Sequence, residues 1–148
     1  MKVLISSCLL GENCKYNGKN NYSPRVLKLL EGCELVGVCP EILAGMPSPR
    51  PPVELKNGRA ADVFGKDVHD AYCEGVRLAL ETALKESVCC AVLQPRSPTC
   101  GVTQIYDGTF TGALIAGQGL FARALSAAGI PVYDADSISD IPELHAKD

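Results

Sequence analysis

Short, wholly apolar runs recur along this chain, each separated from the next by a stretch long enough for a helix. Val3-Leu4-Ile5, Leu35-Val36-Gly37-Val38 and Ala91-Val92-Leu93 are the clearest. A strand covered on both faces reads as a continuous apolar run, not as an alternation of apolar and polar residues. Strands of that kind alternating with helices fold into a parallel α/β sheet. The expectation is therefore an α/β protein, a single domain over 1–148, with a mostly parallel sheet of about four to five strands flanked by helices. Its 148 residues are enough to bury a real core in one domain.

The expected strands lie at about 2–6, 34–38, 89–93 and 131–133. A first helix starts at Ser23-Pro24, with serine as N-cap and proline at the first helical position, and stops at Gly32. The longest helix has Asp67 as its N-cap. Val68, Ala71, Tyr72, Gly75, Val76, Ala79, Leu80, Ala83 and Leu84 recur along it at helical spacing. A third helix covers about 118–128 and ends at Gly129, and the acidic tail reads as a short helix or a frayed end. Between the second strand and the long helix, Pro47, Pro49, Pro51 and Pro52 forbid a regular helix or central strand. Ile42, Leu43, Met46 and Val53 argue that this stretch is ordered, as a wall or lid over a site. The long loop over 94–117 carries a turn at Tyr106-Asp107-Gly108-Thr109.

Three of the expected strands run into a cysteine: Cys8, Cys39 and Cys100. In an open parallel sheet, ligands bind beyond the carboxyl ends of the strands. Thiols delivered to that edge suggest a metal or iron–sulfur site with one open position. The alternative is three unrelated core or strand-end thiols, and spacing alone leaves the two readings level. Eight cysteines are many for a chain with no evident signal peptide, which is expected to be cytoplasmic, where disulfides are rare. Cys73, Cys89 and Cys90 read as small core residues. Cys33 should point away from the carboxyl edge, and Cys14, in the loop after Cys8, lies where it can approach the site. His69 and His145 are expected in solvent.

Glu41 follows Cys39 closely. It reads either as a carboxylate favouring a helix start or as a general acid/base. The hydroxyls of Ser97 and Thr99 either cap the turn before Cys100 or bind substrate or sulfur; Ser6 and Ser7 raise the same choice. Arg50, in a proline-stiffened loop, is placed to clamp a carboxylate or phosphate, although a plain surface ion pair is the commoner outcome. Gly117-Gln118-Gly119 before a helix is a weak phosphate-site match. There is no nucleotide fingerprint, no P-loop and no Ser-His-Asp set. The net charge of −3 makes no electrostatic case for nucleic acid or an anionic membrane as partner. No apolar run approaches the ~20 residues that span a bilayer.

Three stretches together resemble a known family. They are Ser6-Ser7-Cys8-Leu9-Leu10-Gly11 with Tyr16-Asn17-Gly18; Val38-Cys39-Pro40-Glu41-Ile42-Leu43 with Pro47-Ser48-Pro49-Arg50-Pro51-Pro52; and Ser97-Pro98-Thr99-Cys100-Gly101 with Ile105-Tyr106-Asp107-Gly108-Thr109-Phe110. Their order and content are similar to the DUF523 family, whose characterised members include thiouracil desulfurases. The resemblance implies a Rossmann-like domain holding a [4Fe–4S] cluster on Cys8, Cys39 and Cys100, with one open iron. It implies removal of sulfur from a thiocarbonyl of a small compound such as 2-thiouracil, with sulfide released and no net redox change. Glu41 would then handle the proton and Ser97 would orient the substrate, with Ser7, Arg50 and Thr99 contacting it. Cys14 and the Cys89-Cys90 pair stand outside the family pattern. The alternatives are an iron–sulfur or zinc-binding regulatory protein or redox sensor without turnover, and a metal-free thiol protein. Neither an oligomeric state nor one substrate follows from the residues.

Overall fold

The computed structural model describes residues 1–142. Four strands form one sheet: β1 (Lys2–Ser6), β2 (Glu34–Val38), β5 (Cys90–Leu93) and β8 (Val132–Asp134), in the order β2-β1-β5-β8. Every pairing is parallel, with Ile5 opposite Gly37 on one side and Val92 on the other. Helices α1 (Pro24–Leu29), α3 (His69–Lys85) and α4 (Leu120–Ala127) cover the sheet. Val3, Ile5, Cys90 and Val92 pack with Val26 and Leu30 of the α1 segment. Leu4, Ala91 and Leu93 pack with Val76, Ala79 and Ala83 of α3 and Phe121 and Leu125 of α4. Alternate residues of one strand thus enter opposite cores, which is why β1 and β5 are apolar at every inner position.

Local signals act as expected at α1. The Ser23 side chain accepts a hydrogen bond from Val26 N at 3.3 Å, and Pro24 opens the helix. At α3 the N-cap is Val68, one residue after the expected Asp67. The Val68 N–H is spent on Ala60 O and so lies outside the helix, while Asp67 Oδ1 still accepts from His69 N at 2.9 Å. Gly75 is where α3 crosses α2 (Pro40–Leu43): a Cβ there would stand 2.1 Å from Pro40 O.

The two long loops hold more structure than their sequences suggest. The 40–66 stretch contains α2 and an antiparallel hairpin, β3 (Val53–Lys56) with β4 (Arg59–Asp62). Its turn, Asn57-Gly58, has φ values of 53° and 78°, the paired left-handed conformation of a two-residue hairpin turn. The prolines are confined to the irregular link between α2 and β3. The 94–117 stretch contains a second hairpin, β6 (Gln104–Tyr106) with β7 (Leu114–Ala116); of the expected turn, Tyr106 ends β6 and Asp107-Gly108-Thr109 lie in the connection.

Two side chains depart from expectation. Cys73 is exposed on α3, not in the core, with its sulfur 3.4 Å from His69 Nε2. His69 is not simply solvated, because its Nδ1 accepts from Ala60 N at 3.2 Å. His145 and the acidic tail lie outside the described residues. Among the described residues no helix is long and apolar enough to cross a membrane.

Candidate functional site

The carboxyl edge of the sheet opens into a cavity of about 430 Å³. Three adjacent strands feed it. β1 ends at Ser6 and passes into a 3-10 turn, Ser7–Leu10, that carries Cys8. β2 ends at Val38, so Cys39 is the N-cap of α2 and Pro40-Glu41 its first turn. β5 leads through 94–96 to the turn that carries Cys100. Cys8, Cys39 and Cys100 all line the cavity, together with Ser7, Glu41, Arg50 and Ser97.

The Cys100 turn is held on several sides. Ser97 Oγ accepts from Thr99 N at 3.1 Å and from Cys100 N at 3.0 Å. Behind it, Phe121 N and Ala122 N of α4 bond Thr99 O, and Leu120 N bonds Pro98 O. These are the amides that a phosphate at Gly117-Gln118-Gly119 would need, so the weak phosphate match is closed off by the Cys100 loop. Ser6 Oγ accepts from Gln94 N at 3.0 Å and also hydrogen-bonds the Cys100 sulfur, tying the ends of β1 and β5 together.

Glu41 is buried, and its carboxylate is gripped from both ends. Thr99 Oγ1 donates to Oε1 at 2.8 Å, and an Arg50 guanidinium nitrogen lies 4.0 Å from Oε2. The single proton of Thr99 is thereby committed, so the 3.1 Å contact between Ser97 Oγ and Thr99 Oγ1 is donated by Ser97. The three groups form an ordered line: Ser97 to Thr99 to Glu41. Thr99 itself is 0% exposed and does not line the cavity, so it acts on Glu41 and not on a bound molecule. Arg50 is not at the surface either: its side chain is 6% exposed and also donates to Cys14 O and Pro47 O, at 2.9 and 3.1 Å.

Cys14, Cys39 and Cys100 sit in an environment that disfavours thiolates. The Cys39 thiol is pushed up by its hydrogen bond to Cys14, then by burial and the Glu41 charge. Burial, followed by Glu41, raises Cys100 to about 12. For Cys14 the bond from Cys39 pulls downward, but the bond to Cys8 and burial outweigh it, leaving a value of about 11. Such a set ionises only against a strong positive partner, which is what a metal centre supplies. Asn21 Nδ2 donates to Cys8 Sγ at 3.7 Å, and the Ser6 hydroxyl, whose proton is not otherwise committed, is the donor to the Cys100 sulfur. Hydrogen bonds to sulfur of this kind tune iron–sulfur clusters. Among the described residues no three His, Cys, Asp or Glu side chains are placed to hold one metal ion.

Sequence reading missed Asn21 and Tyr72 as cavity residues. Tyr72 falls in the apolar stripe of α3, where nothing separates a core aromatic from one whose edge reaches a cavity. Asn21 has no periodic signal at all. Cys14, singled out only for its nearness to Cys8, is buried and lines the cavity.

Residues 3–137 match the family model described as 2-thiouracil desulfurase. A Bacillus subtilis (strain 168) relative, "Uncharacterized protein YbbK", is 37% identical over 149 residues, spanning 94% of this chain and 99% of that protein. A solved structure titled [4Fe-4S]-dependent thiouracil desulfidase TudS (DUF523Vcz) superposes with a TM-score of 0.87. It is 35% identical and covers 97% of this chain and 95% of its own.

Proposed function

This chain belongs to the 2-thiouracil desulfurase family, a family of carbon–sulfur-bond-cleaving enzymes, and on that premise we propose that it removes sulfur from a thiocarbonyl of a small thiolated compound such as 2-thiouracil. The observation that carries the reading is Glu41, buried and aimed by Thr99 and Arg50 into the cavity that Cys8, Cys39 and Cys100 share. The reading treats residues 1–148 as one domain, working in the cytoplasm on a small molecule, with no membrane or nucleic acid as partner.

Three thiols on three strand ends, with hydroxyl and amide groups directed at their sulfurs, fit a [4Fe–4S] cluster. They fit a zinc ion less well, because zinc needs all its donors around one point. When bound on Cys8, Cys39 and Cys100, the cluster supplies an iron without a protein thiolate, a Lewis acid with affinity for sulfur. The protein's own groups do the rest. Ser7 and Ser97 line the cavity beside the cysteines and orient the thiocarbonyl, with Arg50 on the facing wall. Glu41 takes a proton from the attacking water, and Thr99 keeps its carboxylate in the orientation that does so. The overall change, thiocarbonyl plus water to carbonyl plus hydrogen sulfide, balances without electrons.

Visible absorption with iron and sulfide analysis on anaerobically purified protein tests the reading, followed by sulfide release from 2-thiouracil. About four iron and four sulfide per chain are expected. A protein that cannot be loaded, or a loaded protein that releases no sulfide from any thiolated pyrimidine, overturns it.

A further inference from the structure

The three cysteines of the site do not share one electrostatic setting. Cys39 Sγ lies 3.8 Å from Glu41 Oε1, a carboxylate oxygen. Cys8 instead meets a cation through one intervening group. Lys15 Nζ donates to Asn21 Oδ1 at 2.9 Å, and Asn21 Nδ2 donates to Cys8 Sγ at 3.7 Å. Lys15 and Asn21 both line the cavity, and both are half-buried. Asn21 is held at its backbone as well, where its N–H donates to Cys8 O at 2.9 Å. The two ends of its side-chain amide differ, since the oxygen accepts and the nitrogen donates. An ammonium has no lone pair, so Lys15 can face only the oxygen, and the NH2 group is left for the sulfur. Lys15 therefore fixes which end of Asn21 meets Cys8. It also polarises the amide, which strengthens the donor at the far end.

We propose that Lys15 and Asn21 act as a relay that carries positive charge to the Cys8 sulfur and sets the redox stability of the cluster. This rests on the cluster-dependent reading above. A desulfuration that transfers no electrons needs a cluster that keeps its charge while one iron stands open to solvent and oxidants. An N–H donor draws electron density from a cysteine sulfur, and hydrogen bonds to the sulfurs are among the factors that set a cluster's potential. Less density at Cys8 makes the cluster harder to oxidise and its irons stronger acceptors for a thiocarbonyl sulfur. Lys15 and Asn21 are positioning residues: they act through Cys8 and exchange no proton and no electron.

The test compares wild type with Asn21→Leu, Asn21→Asp, Lys15→Met and the double variant Lys15→Met/Asn21→Leu, all reconstituted anaerobically to equal iron content. Leucine keeps the size of the amide without its donor. Aspartate keeps a partner for Lys15 but turns an oxygen towards the sulfur. Methionine keeps the stem of Lys15 without its charge. The midpoint potential is read by electron paramagnetic resonance during reductive titration, and iron loss is timed in ferricyanide. All variants are expected at more negative potentials than wild type, with Asn21→Asp furthest and losing iron about tenfold faster. Because Lys15 acts through Asn21, the double variant is expected to match Asn21→Leu. Shifts that add in the double variant overturn the relay. Lys15→Met, shifted or unshifted, decides the matter if the Asn21 variants do not load. Loaded variants with the potential of wild type overturn this assignment alone, and a wild type that takes up no cluster overturns it together with the proposed function.

Discussion

Thr99 shows how much of a site is decided below the level of a motif. Its neighbours Ser97 and Cys100 face the cavity, while its own hydroxyl turns inward to Glu41. The motif places these residues on one turn, but which side chain faces which way depends on the α4 amides that pin the turn from behind. That is why a role for Thr99 against substrate is legible in sequence and its contact with Glu41 is not. Thr99→Val keeps the volume and leaves Glu41 without its donor, a buried loss of about 1–3 kcal/mol. Denaturant unfolding should register it, with sulfide release about tenfold slower at unchanged iron content. Glu41→Gln should keep the cluster and lose about 10²–10⁴-fold in turnover, read by the same assay; full activity would remove Glu41 from the chemistry. Cys39→Ser should lose cluster and activity together, checked by iron analysis. An intact cluster in that variant would sink its place among the ligands.

Among the elements, strands and long helices were readable because their patterns repeat. β1 and β2 are built on their apolar runs, each starting one residue before its run, and α3 follows its stripe. The hairpins were not readable, because each is short and lies among turn residues. The Asn57-Gly58 pair between two four-residue runs was the available signal for β3 and β4, and the surrounding prolines masked it. Gly75 looked like one more small residue on a helical face. In the structure it is the point at which α3 lets α2 approach, and α2 carries Glu41 at its start, directly after Cys39. Gly75→Ala should therefore push α2 away despite alanine's better helix propensity, costing roughly 1–3 kcal/mol. Urea unfolding together with iron retention checks this, and an unchanged or raised midpoint would show that the crossing can relax.

Across the whole molecule, cysteines distant in sequence become neighbours through strand order alone. β2, β1 and β5 are adjacent, so their carboxyl ends meet at one place. The sequence supports the parallel sheet and the edge on which the loops gather, but not the order of strands, since no local pattern encodes pairing between distant runs. A group bound across three loops should stabilise the folded chain by mass action. Anaerobic calorimetry should place the loaded protein above the cluster-free form, by roughly 2–4 °C for each kcal/mol of linkage. Coincident transitions would mean that the loops stand without it.

The bridge from Ser6 to Gln94 and Cys100 carries a consequence for how the protein is made. Cys8, Cys14 and Cys39 emerge early during synthesis, but the space they face is closed only by β5 and the turn beyond it. Gln94 to Cys100 supply one wall of the cavity, so its lining is complete only once Cys100 has been made. On the proposed reading, topology would then set the order of maturation, with a cluster taken up only after the carboxyl edge of the sheet is complete.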